Sequence, residues 1–153
     1  MKSLELKVPP LILAIAFALI MYGVALLLPA ADLTIDARTS VAIVFAGLGA
    51  LIVAAGIVAF RRHKTTANPM APEQAATVVV DGIYRFTRNP MYLGFVLMLA
   101  GWAVYLANAG AVLLVPGFVF WMTEWQIKPE ERALAIRFGA EYAEYVDAVR
   151  RWI

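Results

Sequence analysis

Cysteine is absent from this 153-residue chain and histidine occurs once, at His63. Without thiols there are no disulfides and no thiolate metal sites, and one imidazole is a poor start for a metal centre. Charge is scarce as well: 16% of residues are charged and 63% are hydrophobic, with a mean hydropathy of +0.77. That balance excludes an ordinary soluble domain and makes the bilayer the expected solvent. The length allows a single domain. A pI near 9.0 and a net charge of +2 would by themselves admit a nucleic-acid partner. The placement of the charges explains them better.

Four uncharged runs organise the chain. Residues 8–28 are long enough to cross about 30 Å of hydrocarbon at about 1.5 Å per residue. Their apolar core is too long for a signal peptide, and Ala30-Ala31 only faintly resembles a cleavage site, so a retained anchor is expected. Residues 30–40, with Asp32, Asp36 and Arg38, read as a short polar connection. Residues 41–60 form the second run, in which Ala42, Ala46, Ala50 and Ala54 recur every fourth residue with Gly49 and Gly56 nearby. Small residues at that spacing predict a helix-packing face. Arg61-Arg62-His63-Lys64 ends it, and a long polar loop with Pro69 and Pro72 leads to the Asp81-Gly82 turn signal. Residues 91–107 and 109–126, joined with almost no connection, predict a tight helical hairpin in which Pro116 is a candidate kink. The fold class expected is therefore an all-α membrane protein of four transmembrane helices, with a cytoplasmic loop and an amphipathic C-terminal helix.

The cations fall to one side of that topology. Lys2, Lys7, Arg61, Arg62, Lys64, Arg85, Arg88, Lys128, Arg132, Arg137, Arg150 and Arg151 share a face, twelve of the thirteen lysines and arginines, and only Arg38 lies opposite. The positive-inside rule makes the populated face cytoplasmic, with both termini on it. The basic pI then needs no nucleic-acid partner.

Residues 82–94, Gly-Ile-Tyr-Arg-Phe-Thr-Arg-Asn-Pro-Met-Tyr-Leu-Gly, are the most site-like stretch. Asn89 before Pro90 at the mouth of an apolar run reads as an N-cap followed by the first helical residue. Tyr84, Arg85 and Arg88 then sit beside the positive end of a helix, a place suited to an anion. Lys128-Pro129-Glu130-Glu131 reads as the opening of a polar helix. Leu134, Phe138, Tyr142, Tyr145, Val149 and Trp152 form its apolar stripe, with a break at Gly139. On spacing alone, Glu130 and Glu131 either complement a helix dipole or hold a cationic group. Arg85 and Arg88 are either interfacial anchors or ligand contacts, and Glu124 is either an interfacial carboxylate or a functional one.

Together these motifs carry a resemblance. Gly82-x-Tyr84-x-x-x-Arg88-Asn89-Pro90-x-Tyr92-x-Gly94, followed by Glu130-Glu131 and Phe138-Gly139-x-Glu141-Tyr142-x-x-Tyr145, resembles the integral-membrane methyltransferases related to isoprenylcysteine carboxyl methyltransferase and phospholipid methyltransferases. The resemblance covers the C-terminal half. It implies a single membrane-embedded methyltransferase domain over 1–153, with a cofactor-binding half at about 76–153 that takes S-adenosylmethionine. By motif position it implicates Tyr84, Asn89, Pro90, Met91, Tyr92 and Glu130 in holding the cofactor, and the segment carrying Val78 and Val79 more weakly.

Arg88 and Arg85 are candidates for orienting the acceptor or the cofactor carboxylate. Asn89 stands where many relatives carry histidine. Gln126 stands where the eukaryotic prenylcysteine enzymes place an arginine for the substrate carboxylate. A neutral amide cannot replace that charge, which counts against a prenylcysteine acceptor. The expected function is methyl transfer at the cytoplasmic face to a lipophilic acceptor reaching the site near Trp121, Glu124, Trp125 and Gln126. The rival classes are a small exporter using Glu124 to exchange protons and a non-catalytic membrane scaffold using the alanine face.

Overall fold

A computed structural model of the protein describes residues 5–29, 33–66 and 68–153. Lys2, Ala30, Ala31 and Asp32, which enter the expected charge balance, cleavage signal and polar connection, lie outside the described residues. The described residues are largely helical, without a β-sheet. Helix α1 is Pro10–Leu27, α2 is Arg38–Arg62, α3 is Pro90–Leu106 and α4 is Ala109–Met122. A π-helical turn, Thr123–Ile127, carries α4 without interruption into α5, Lys128–Phe138, and α6 follows at Ala140–Ala148. Helix α2 begins at Arg38, so Thr39 and Ser40 are helical rather than part of the connection.

Three of these helices are long and apolar enough to cross a membrane: α1, α2 and the continuous helix Ala109–Phe138. The protein is an integral membrane protein. Helix α3 is apolar but has only 17 residues, about 25 Å at 1.5 Å per residue. It nevertheless runs between the same two ends of the bundle as its neighbours. At one end the Leu6 amide bonds to the Trp125 carbonyl (3.1 Å), and Tyr92 in the first turn of α3 bonds to Glu130, a little further along the helix that carries Trp125. At the other end the buried Asn108 donates to the Leu28 carbonyl (2.9 Å) and accepts from the Gly110 and Ala111 amides. Asn108 thereby caps α4, and the hairpin between α3 and α4 is as tight as its sequence predicts.

Two apolar cores result. Leu13, Met21, Leu99, Ala103, Ala111, Phe118, Met122 and Ile127 join α1, α3 and α4. Ala59, Val78, Val79, Tyr84, Tyr142 and Tyr145 form a second core at the end where α2 stops and α6 docks. Large side chains such as Leu19, Ile43 and Leu51 face outward, as lipid-facing positions do when no water must be avoided.

The predicted packing face of α2 is corrected. Ala46, Ala50 and Ala54 are exposed, whereas Gly49, Gly56 and Ala59 are buried. A spacing of four drifts about 40° per step on a helix of 3.6 residues per turn, so Ala42 and Ala54 lie about 120° apart. A spacing of seven drifts only about 20°, which keeps Ala42, Gly49 and Gly56 on one side. That stripe meets α3 in antiparallel register. A Cβ on Gly94 would lie 2.6 Å from the Gly49 carbonyl oxygen, and one on Gly101 would lie 2.9 Å from that of Ala42. The two backbones touch, and no side chain fits between them.

The start of a new helix at Lys128 is also corrected. The helix continues because the Lys128 amide bonds back to the Thr123 carbonyl, five residues earlier. Pro129 has no amide hydrogen and its ring crowds the preceding turn, and the wider π-helical turn accommodates it without a break. Pro116 likewise sits inside α4 without ending it. The break at Gly139 is real: its φ of +52° is a conformation that favours glycine.

The α2–α3 contact predicts that Gly94→Leu lowers the unfolding free energy by about 1–3 kcal/mol or more, the cost of overpacking. Ala46→Leu, on the exposed face of the same helix pair, should change it by less than about 0.5 kcal/mol. Denaturant titration of the purified protein in detergent compares the two.

Candidate active site

At the end of the bundle that carries the C-terminal helices lies a cavity of about 110 Å³. Its walls come from elements far apart in sequence. The end of α2 gives Phe60 and the following loop gives Asn68, Pro69, Val78 and Val79. Tyr84, Arg88 and Asn89 follow, then Met91 and Tyr92 from the first turn of α3, Glu130, Glu131 and Leu134 from α5, and Tyr142 and Tyr145 from α6. Of the residues singled out from sequence, Val78, Val79, Tyr84, Arg88, Asn89, Met91, Tyr92 and Glu130 therefore share one cavity.

Three do not line it. Arg85 is exposed, because it follows Tyr84 on the 3₁₀ turn Gly82–Arg85 and successive residues there point about 120° apart. Tyr84 takes the inward direction and Arg85 the outward one. Pro90 is buried behind the cavity wall as the first residue of α3. Gln126 is wholly buried outside the cavity but touches it through a partner. Its amide nitrogen donates to Glu130 Oε1 and to the Pro69 carbonyl (2.7 Å), so it ties the loop to α5. Both partners are acceptors, which fixes the orientation of the amide.

Glu130 Oε1 also accepts the hydroxyl of Tyr92. Glu131, one residue on, lies between two guanidinium groups: Arg88 Nη2 at 3.2 Å and Arg151, whose Nε and Nη2 reach its two oxygens at 3.0 and 2.7 Å. The dipole reading of this acidic pair falls away, since a continuous helix has no free N-terminus at Lys128 to complement. Glu124 is paired with Lys128 one turn on, which occupies the group an exporter would need for proton exchange. His63 pairs with Asp81 at 3.0 Å.

Asn89 holds the N-cap position of α3, but its side chain makes no cap. Its Nδ2 donates instead to the Arg151 carbonyl at 3.0 Å. The side chain of Arg88 is only 9% exposed, and its Nε and Nη1 are buried without a hydrogen-bond partner among the described residues. An unpartnered charged donor in a cavity wall is costly unless a ligand completes it.

The aromatic wall is uncharged. Burial pushes the phenols of Tyr84, Tyr142 and Tyr145 well above their ordinary range, so they remain neutral at physiological pH. The Tyr145 hydroxyl donates to the Tyr84 carbonyl at 2.8 Å, and Phe60 stands edge-on to the Tyr84 ring. Next to the cavity, and sharing Phe60, Pro69, Met91 and Tyr92 with it, is an apolar groove of about 510 Å³ between α1, α2 and α3, with Leu11, Val53, Ile57 and Phe95 on its sides. Sequence reasoning placed acceptor access near Trp121, Glu124, Trp125 and Gln126; there the Trp121 ring packs on Trp125, and Trp125 packs on Phe120. It also missed Tyr142 and Tyr145 as cavity residues, although the apolar stripe of the C-terminal helix already named them.

An apolar helical bundle with a largely aromatic cavity at one end, carrying a few charged side chains, is the architecture of an integral membrane protein. Comparison with known proteins identifies its family. Residues 37–141 match the family model described as phospholipid methyltransferase, and the chain belongs to that family. It is 30% identical over 102 residues to protein-S-isoprenylcysteine O-methyltransferase A of Arabidopsis thaliana, covering 67% of this chain and 52% of that one. It is 34% identical over 68 residues to protein-S-isoprenylcysteine O-methyltransferase of Schizosaccharomyces pombe, covering 44% and 29%. An uncharacterized protein of Haemophilus influenzae is 41% identical over 63 residues, covering 41% of this chain and all of that one. The chain spans about half the length, or less, of the named methyltransferases it matches. No solved structure matches it significantly.

The buried tyrosine bond makes a direct prediction. Tyr145→Phe leaves the Tyr84 carbonyl without its donor and should cost about 1–3 kcal/mol of stability while keeping the ring packing, measured by thermal or denaturant unfolding.

Proposed function

We propose that the protein transfers a methyl group from S-adenosylmethionine to a lipophilic acceptor drawn from the membrane. One observation carries the proposal: Glu130 and Arg88, two of whose guanidinium nitrogens are buried without a partner among the described residues, line the same aromatic cavity. An α-amino acid needs an acid for its ammonium and a cation for its carboxylate, and charge-assisted hydrogen bonds of both kinds are strong in a site shielded from water. Val78, Val79, Tyr84 and Met91 offer apolar and aromatic surface for the nucleoside and the sulfonium. When bound, S-adenosylmethionine supplies an electrophilic methyl group.

The chain's own contribution is placement. Tyr92 and Gln126 hold Glu130 in one orientation, and Gln126 also ties the loop at Pro69 to it. The adjoining apolar groove supports an acceptor with a hydrocarbon part, which would reach the cavity past Met91 and Tyr92 rather than past the tryptophans. Gln126 has its amide donors committed to Glu130 and Pro69, so it offers no positive charge to an acceptor carboxylate. Arg85, exposed, is left to the membrane interface.

The rest of the reading concerns topology. The single domain extends over 1–153, with the cofactor half at 76–153 joined by Phe60, Asn68 and Pro69 from before it. Helix α3 is read as a fourth crossing, since the ends of all four helices meet at the same two levels. The cationic end, carrying the site and both termini, is read as cytoplasmic.

Calorimetric titration of the purified protein with S-adenosylhomocysteine tests the cofactor. Micromolar binding is expected, with Glu130→Ala weakening it at least tenfold, a loss of about 1.4 kcal/mol. Failure of the wild-type protein to bind would sink the proposal. Incubation of membrane lipids with the protein and isotopically labelled S-adenosylmethionine, followed by mass spectrometry, should yield a labelled lipophilic product. Its structure identifies the acceptor.

A further inference from the structure

The family match ends at Glu141, but Tyr142 and Tyr145 beyond it line the cavity, and the last residues of the chain bond to Arg88 and Asn89 in its wall. Beyond α6 the backbone turns extended at Val149 (φ −129°, ψ 133°), and residues 149–153 lie across the elbow that precedes α3. The Arg150 carbonyl accepts from the Arg88 amide at 3.0 Å. The Arg151 carbonyl accepts from Asn89 Nδ2 at 3.0 Å and from Thr87 Oγ1 at 3.3 Å. Trp152 Nε1 donates to Thr123 Oγ1 at 3.2 Å, and its ring packs on the core of the bundle. The segment is a strap fastened to the elbow, the π-helical turn and α5.

Its charged side chain has a particular effect. A carboxylate and a guanidinium left to themselves pair through two parallel hydrogen bonds. Glu131 does not pair with Arg88 in that way. Arg151 takes both of its oxygens, and Arg88 reaches Oε1 through Nη2 alone. Arg88 is thereby held in place by one nitrogen, while its Nε and Nη1 stay buried and unpaired among the described residues, on a side chain that lines the cavity.

We propose that Arg151 is a positioning residue: by occupying both oxygens of Glu131 it keeps Nε and Nη1 of Arg88 unpaired and so available to a carboxylate bound in the cavity. This rests on the reading of the cavity as an S-adenosylmethionine site. Without Arg151, Glu131 is free to pair with Arg88 through both oxygens and to take one of the two nitrogens a ligand carboxylate would use.

The test uses the full chain in lipid nanodiscs, titrated with S-adenosylhomocysteine and with 5′-methylthioadenosine, which has no carboxylate. Arg151→Ala should weaken S-adenosylhomocysteine binding about tenfold and leave 5′-methylthioadenosine binding unchanged. Adding Glu131→Gln to Arg151→Ala should recover most of that loss, because an amide cannot capture Arg88 as a carboxylate does. Arg151→Lys keeps the charge but cannot hold both oxygens, and it should show a smaller loss with the same selectivity. It carries the test where Arg151→Ala does not fold. Equal weakening for both nucleosides, no recovery in the double variant, or unchanged S-adenosylhomocysteine binding would each overturn the role of Arg151. A wild-type protein that binds no S-adenosylhomocysteine overturns the cofactor reading, and this inference with it.

Discussion

The carboxylate of Glu130 is where the separate parts of the chain are drawn together. It accepts the hydroxyl of Tyr92 from the first turn of α3 and the amide of Gln126 from the helix turn before it, and the same Gln126 amide donates to the loop at Pro69. A half-buried carboxylate is expensive to keep away from water unless its oxygens are satisfied by donors, and here those donors come from helices and loop alike. The loop, the hairpin and the C-terminal helices are therefore held in register by one polar junction at the mouth of an otherwise apolar bundle. The cavity forms beside that junction.

Below it, the bundle is held by different physics. In lipid there is no hydrophobic drive bringing helices together, so close packing must supply the association. The contact of Gly49 with Gly94 lets the backbones of α2 and α3 meet, and this fixes where α2 ends relative to the start of α3. Phe60, at the end of α2, and Tyr84 and Met91, near the start of α3, are brought to the same cavity as a consequence. Glycine packing deep in the bundle thus sets the geometry of a site at its end.

Belonging to the phospholipid methyltransferase family gives the cavity a context, and the chain also departs from what the family resemblance implies. Asn89 stands where a titratable ring is common, and its amide is used to fasten the C-terminal strap. Gln126 stands in place of a cation and is used to orient Glu130. Both substitutions replace charge or proton chemistry with fixed hydrogen bonds. On the proposed reading, that suits a site whose contribution is to orient a donor and an acceptor.

Much of the architecture was legible in the linear pattern. The uncharged runs named the helices, Asn108 marked the hairpin, Gly139 marked the break in the C-terminal helix, and the stripe from Leu134 to Trp152 named the face that docks. These features depend on solvent preference and local backbone chemistry, which each residue carries with it. The face of α2 was misread because a repeat of four alanines is conspicuous in sequence, while burial follows the rotation of the helix and the partner it meets. The continuous helix through Lys128 was hidden because proline and two acids mimic a helix start when the preceding turn is unknown. Sequence alone determined that the chain is a bundle of apolar helices with its cations and its Tyr, Arg and Glu motifs at one end. Only the tertiary structure decided that Glu131 belongs to two arginines, that Arg85 is exposed while Arg88 is largely buried, and that the last five residues fasten onto the segment before α3. Those outcomes depend on which groups distant in sequence arrive within hydrogen-bonding distance, and no local pattern encodes that distance.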